Sequence, residues 1–530
     1  MAITLPDLCL HRIFDFISFD QETHVSALHS SVLVNRHWCR SLISLLWKDS
    51  FGLAINATAR KHLIKSYISF LPGDEQQTFY NLITCNNHLQ SNNANEPSFN
   101  YFAFLRTFSV TALMEAVNLI ADDNWTPMSY RYIMKTLSRQ FIAQSPVILN
   151  TELSLGGLHA LEKWDGQLWM LRGLDIFALS EADNNSFRNL RTLKLNGKFL
   201  PNVLVSATKV ARNIEELDVG FDGFDEEDDI DRWLQPLSQL IGAQRKLRSF
   251  SLNIGQCDIR ALAQVFIALQ GSAKSLLSVK MVNIDFQGYP ILDALSKCSN
   301  LSSLVLEACA NLPETLDINE CAGDAFHKLN NLELSRMMIP SSMLQSLLSQ
   351  SSGAINTIIF SGLIPGDFML TNFFDLLATF CPNLHKLSVF VRHESIYNLL
   401  SHLGSWPQLE QLEINGGICI SNVYTEVDDL MPLFGKAVPS TLQRLEIRIN
   451  WEFSPDALRG FFENCTAELE HLNLEWCKLS DEHIDQIVKH CNGRLKYLNI
   501  ENAVDVTWDG YKKAIDNIKV VRLSSKTRTM

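Results

Sequence analysis

Cys465, His471, Cys477 and His483 follow one another at even intervals of six residues, and thiolate plus imidazole is the donor set that zinc prefers. A second concentration of chemistry is the acidic run DGFDEEDDID at 222–231. It lacks the ligand spacing and the closing glutamate of an EF-hand loop, so it reads as a solvated loop that could meet a basic partner. The sequence contains no phosphate loop GxxxxGK[ST], no GxGxxG, GxSxG or HExxH, and no paired CxxC. No catalytic residue and no cofactor is expected. Whether the four cysteines and histidines can meet on one ion depends on the elements that carry them.

Those elements repeat. The pattern LxxLxL, with any large apolar residue allowed for leucine, starts at Leu190, Ile214, Leu247, Leu276, Leu301, Leu329, Ile355, Leu384, Leu409, Leu442, Leu469, Leu495 and Ile518, with 23 to 33 residues between starts. A period in the twenties is the signature of leucine-rich repeats. In each unit a short strand turns alternate residues inward and cannot bury them alone, so units stack in parallel around a shared apolar ladder. Helices fill the return path. Ser454 and Pro455 open one of them, with Leu458, Phe461 and Phe462 on its apolar face; Ser480, Asp481 and Glu482 open the next, striped with Ile484, Ile487, Val488 and Cys491. The predicted fold is an α/β solenoid, a leucine-rich-repeat horseshoe with strands inside and helices outside, about thirteen clear units from residue 190 within a repeat region of 151–530.

On that frame the metal set separates. Cys465 precedes a strand, His471 points outward from it, Cys477 lies in the following turn and His483 in the helix, so no metal site is expected. Several units resemble the cysteine-containing class of these repeats, most clearly 298–309 and 465–491. That resemblance implies a backbone-satisfying Asn or Cys at the ninth position, which Cys309, Asn450 and Cys477 fit.

Outward strand positions are what remain for binding. Three successive rows, Arg444, Glu446 and Arg448, then His471, Asn473 and Glu475, then Tyr497, Asn499 and Glu501, combine charge with an aromatic anchor and are the expected target-binding surface. Rows such as Ser249, Ser251 and Asn253 are blander. Thirteen strands about 4.8 Å apart give an inner face of roughly 58 Å, a length suited to a macromolecule rather than to a closed small-molecule pocket.

Residues 3–51 form a different unit. In LVNRHWCRSLISLLWK, residues 33–48, Trp38 and Trp47 are nine residues apart, about 180° around one helix. They point to opposite sides, and a unit this small cannot cover both. The ordered set of Leu5 and Pro6, then Leu10, Ile13 and Phe14, then Leu33, Val34 and Trp38 with Cys39, then Leu46 and Trp47, resembles an F-box. The resemblance implies that these residues bind the Skp-family adaptor of an SCF ubiquitin ligase, and through it a cullin scaffold, with the adaptor covering the second face. Cys9, where many F-boxes are acidic, and the polar stretch before Val34 depart from the pattern. Residues 52–150 read as a helical linker with a polar insert at 85–98, and 151–189, through Leu158, Leu161, Leu168, Leu171 and Leu174, as degenerate opening repeats.

Composition agrees. The chain has 530 residues, 46% hydrophobic and 19% charged, with a net charge of −13. That balance argues against a general nucleic-acid or anionic-membrane binder and leaves room only for a local basic patch. The first residues are wrong for a secretory signal and no run of 18 apolar residues occurs, so the expectation is a soluble intracellular protein, cytoplasmic and/or nuclear, with its twelve cysteines reduced and its NxS/T triplets unglycosylated. The implied function is a non-catalytic substrate receptor: the F-box holds the adaptor, and the repeats hold a target protein near ubiquitin chemistry performed elsewhere. The alternative is a repeat scaffold or inhibitor that acts by occupancy, outside any ligase.

Overall fold

The computed structural model describes residues 6, 9–13, 21–54, 56–83, 99–120, 126–154, 174–179, 186–197, 199–221, 230–255, 259–287, 291–313, 326–351, 353–361, 372–416, 424–491, 493–501 and 505–522. Leu5, Phe14, the insert at 85–98, most of the acidic run and Leu158, Leu161, Leu168 and Leu171 lie outside them. The chain divides into two compact units, 1–272 and 273–530.

Among the described residues of the first unit, five parallel strands follow chain order: β1 (Thr107–Ser109), β2 (Asn150–Ser154), β3 (Thr192–Asn196), β4 (Glu216–Gly220) and β5 (Ser249–Asn253). Register is constant across them, Asn150 facing Thr192, Thr192 facing Glu216 and Glu216 facing Ser249. β3, β4 and β5 each begin two residues after their predicted Leu190, Ile214 and Leu247. Two strands come earlier than the thirteen pattern matches. Leu105, Phe108 and Val110 are buried with the LxxLxL spacing and produce β1, inside the segment expected to be helical linker. Ile148 and Leu153 are buried around β2, where Thr151 takes the middle apolar place.

The second unit continues the rule with β6 (Ser278–Val282), β7 (Ser303–Glu307), β8 (Asn331–Ser335), β9 (Thr357–Ser361), β10 (Lys386–Phe390) and β11 (Gln411–Asn415). After β12 (Thr425–Glu426) come β13 (Arg444–Arg448), β14 (Trp451–Glu452), β15 (His471–Asn473), β16 (Tyr497–Asn499) and β17 (Val520–Arg522). Among the described residues β12 and β14 pair with each other, and the remaining strands of this unit run parallel in one ladder. Alternate residues such as Leu332 and Leu334, Leu412 and Ile414, or Leu445 and Ile447 are at most 1% exposed, which is the stacked ladder that makes the α/β leucine-rich-repeat solenoid. Outside the sheet, helix Pro455–Asn464 starts as its sequence requires: the Ser454 hydroxyl accepts from the Ala457 N–H at 3.2 Å, Pro455 occupies the first turn, and Leu458 and Phe461 are buried. The ninth-position cysteines close the turns, Cys309 Sγ donating to the Met281 carbonyl and Cys477 Sγ to that of Ile449, each in the preceding repeat. Burial pushes both thiols well above their ordinary range, Cys309 to about 11, so they are inert packing groups. No helix among the described residues is long and apolar enough to cross a membrane.

Candidate functional site

At the front of the first unit, residues 9–13 are helical and are followed by helices Gln21–Val32 and Arg36–Trp47. Asn35 caps the latter, its side-chain oxygen accepting from the Trp38 N–H at 2.9 Å. Leu10, Leu28 and Leu42 form a small closed core, with Ala27, Val32, Trp38, Leu45 and Leu46 packed around it. Trp38 and Trp47 pack against different parts of this chain, and each is partly covered by it. The Trp47 ring stacks on Tyr101, centroids 3.9 Å apart and 9° from parallel, and meets the edge of Tyr67 at 5.5 Å. Of the residues the sequence assigned to an adaptor, Leu10 is fully buried and out of reach, which corrects that member of the set; Trp38 and Leu46 pack on that core and Trp47 against Tyr67 and Tyr101 from segments downstream, and all three stay half-buried. Left open are Ile13 at 43% exposure, Leu33 at 73% and Val34 at 59%, with Pro6 also exposed.

The other candidate surface is the outward face of β11, β13, β15, β16 and β17. Neighbouring parallel strands lie about 4.8 Å apart, which brings His471 beside Arg444 and Tyr497 beside His471. The imidazole of His471 stacks on Tyr497 at 4.1 Å and 6°, and the Arg522 guanidinium lies 5.7 Å from the same ring. Glu446 is only 2% exposed. Its carboxylate accepts from Arg444, from Arg448 Nη2 at 2.6 Å and from Asn473 Nδ2 at 3.3 Å, while Arg448 Nη1 reaches on to Glu413 at 2.8 Å. Burial by itself would raise the Glu446 pKa; hydrogen bonds from His471 and Arg444 and the charges of Arg448 and Arg444 outweigh it and hold the carboxyl down to about 2.

This arrangement corrects the expected binding rows. Glu446, Asn473 and Asn499 are 2%, 3% and 4% exposed and are not available to a partner. Arg444 and Arg448 of the same strand, with His471 and Asn473 of the next, close around Glu446, and the asparagines are used internally: Asn473 Oδ1 accepts from the Glu475 N–H and Asn499 Oδ1 from the Glu501 N–H. Arg444 stays exposed, and Arg448, His471, Glu475, Tyr497 and Glu501 are half-buried, so the face presents a preset charged and aromatic strip. Sequence reading missed Glu413 and Arg522, which extend it on either side; counting outward positions in rows 409 and 518 would have found both.

The cysteine and histidine set does not converge. His471 is stacked on Tyr497, whereas His483 Nε2 donates to the Phe453 carbonyl at 2.7 Å and its Nδ1 accepts from the Ser480 N–H at 2.9 Å. Cys477 is bonded in its turn and Cys465 lies beyond the end of helix Pro455–Asn464. Among the described residues no group of three or more His, Cys, Asp or Glu is placed to hold a metal ion.

No family model matches the chain, and no curated protein matches it. Among solved structures it is similar to the Rad7 and Elc1 complex of yeast, at 15% identity and a TM-score of 0.40 over 70% of this chain and 89% of that one. It is also similar to the leucine-rich repeat-containing protein LegL7 of Legionella pneumophila (13% identity, TM-score 0.27, 68% of this chain and 95% of that one). A third likeness is to the TLR13–ssRNA13 complex (15%, 0.27, 63% of this chain and 58% of that one). Identities of this size concern the fold alone, and TM-scores this low say nothing about function.

Proposed function

We propose that this chain is the substrate-recognition subunit of an SCF-type ubiquitin ligase, with residues 3–51 as an F-box for the Skp-family adaptor and a cullin behind it, and the polar strip of the repeats as the seat of a target protein. The observation that carries this reading is the apolar tip at the front of the first unit. Leu33 and Val34 stand out at the turn between two helices whose other apolar residues are packed or half-buried, and Ile13 is exposed as well. Burying two such side chains against a partner stabilises a complex by roughly 3 kcal/mol or more. The chain then contributes no reacting group. It raises the effective concentration of target lysines near a thioester made elsewhere.

Leu33→Ser/Val34→Ser changes the tip without touching the core. Recovery of adaptor and cullin on the double variant is expected to fall about 100-fold, with the circular-dichroism spectrum unchanged. Equal recovery from wild type and variant sinks the adaptor assignment. Target lifetime separates the ligase reading from occupancy: a target stabilised by deletion of this chain supports degradation, and one that changes activity at constant lifetime supports a scaffold or inhibitor.

A further inference from the structure

We propose that the first unit binds a small, multiply phosphorylated molecule in a cavity formed by Arg188, Arg212 and Arg245. Each arginine stands two residues before the first apolar residue of its repeat, Leu190, Ile214 and Leu247. The strands they lead into are in register, Thr192 facing Glu216 and Glu216 facing Ser249, and each arginine precedes its member of that row by four residues. Three consecutive repeats therefore place a guanidinium at the same turn. With Asn213 and Ala243 they line one open cavity of about 360 Å³. The Asn213 side chain donates to the Arg188 carbonyl at 2.9 Å and ties two of these turns together.

All three arginines are exposed, and among the described residues none of their guanidiniums has a hydrogen-bond or ion-pair partner. The nearby acid is already occupied: Glu215 lies 4.0 Å from Arg191 and 3.9 Å from Arg248. A bland role exists, because helices Pro201–Val210 and Asp231–Gly242 end just before Arg212 and Arg245, and a cation there offsets the helix dipole. That role asks for one cation per helix and does not ask that three converge on a single concavity. In a chain of net charge −13, three unpaired guanidiniums in a shared cavity repel one another until an anion joins them.

Phosphoryl groups fit best, since the planar fork of arginine matches their oxygens two at a time. A single carboxylate could satisfy one fork and leave the others unmet. Compactness favours a small molecule over a polymer. The cavity falls in the size range of small-ligand sites, the corresponding position of the preceding repeat is the uncharged Pro146, and the overall acidity opposes a long polyanion.

Titration calorimetry of the full chain at fixed ionic strength, with inorganic tripolyphosphate, pyrophosphate and orthophosphate as probes, tests this. Tripolyphosphate is expected to bind saturably at one site, at least about tenfold tighter than orthophosphate, and Arg212→Gln is expected to weaken it about tenfold. Arg212→Lys, which keeps the charge and loses the fork, should give a smaller loss and serves if the glutamine variant folds poorly. Arg444→Gln in the second unit should change nothing. The proposal is overturned by unsaturable heats, by equal binding to wild type and Arg212→Gln, or by a doubly phosphorylated peptide or single-stranded oligonucleotide that binds more tightly than tripolyphosphate.

Discussion

Gly435→Ala is expected to destabilise the second unit by about 3 kcal/mol or more, the upper part of the range for overpacking a filled interior. Helix Leu430–Ala437 lies directly on helix Pro455–Asn464, and a Cβ built on Gly435 would sit 2.1 Å from the carbonyl oxygen of Phe461. That neighbour is backbone, so no side chain can swing away, and relief requires the two helices to part. The parting would disturb Phe434 and Phe461, whose rings meet edge-on at 5.5 Å. Gly242 is the matched control. It is also helical, and nothing lies within 4 Å of its built Cβ, so Gly242→Ala should be neutral or slightly stabilising through the better helix propensity of alanine. Urea unfolding of the two variants measures both effects. Equal midpoints would mean that the helices are not in the close contact described.

Glu446→Gln carries the second large effect, about 3 to 4 kcal/mol at neutral pH. Its carboxyl lies near 2 in the fold against an ordinary 4.5, and 4.5 minus 2 at about 1.4 kcal/mol per unit gives that figure. The sign follows from the depressed value. Above about 4.5 both folded and unfolded states are ionised and the full contribution is present; it is lost as pH falls from about 4.5 towards 2, where the unfolded chain takes up a proton that the folded one refuses. The amide can still accept one hydrogen bond, but it leaves Arg444 and Arg448 without their shared counter-charge, and Arg448 Nε is already buried without a partner among the described residues. Denaturant midpoints followed from pH 7 to pH 2.5 should fall less for the variant than for wild type over the acid limb. Superimposable acid limbs would show that the carboxylate is not held by its neighbours. Because the buried charge orients two arginines and one imidazole, its loss should also loosen the strip that faces a target.

The division between sequence and tertiary structure is visible residue by residue. Thirteen strands begin two positions after thirteen apolar residues, because a strand that must bury alternate side chains announces itself by that spacing whatever lies around it. β1 escaped notice although Leu105, Phe108 and Val110 keep the same spacing, since its one-turn neighbours are helical and the ladder that justifies a three-residue strand comes from β2. The front unit shows the same split. Opposed tryptophans follow from nine residues of helix, but that Tyr101 stacks on Trp47 depends on a segment far along the chain.

Local sequence thus determined the repeat fold and, for the thirteen strands that its spacing marked, where each begins and which residues turn inward, through periodicity alone. Only the tertiary structure decided which outward polar groups stay wet: Glu446, Asn473 and Asn499 are buried, and Glu446 meets His471 and Asn473 of the adjoining repeat as well as the arginines of its own strand. It also brought Arg188, Arg212 and Arg245 to one cavity. Burial of a polar side chain is set by what stands beside it across the ladder, and that neighbour is a property of stacking rather than of the segment that carries the side chain.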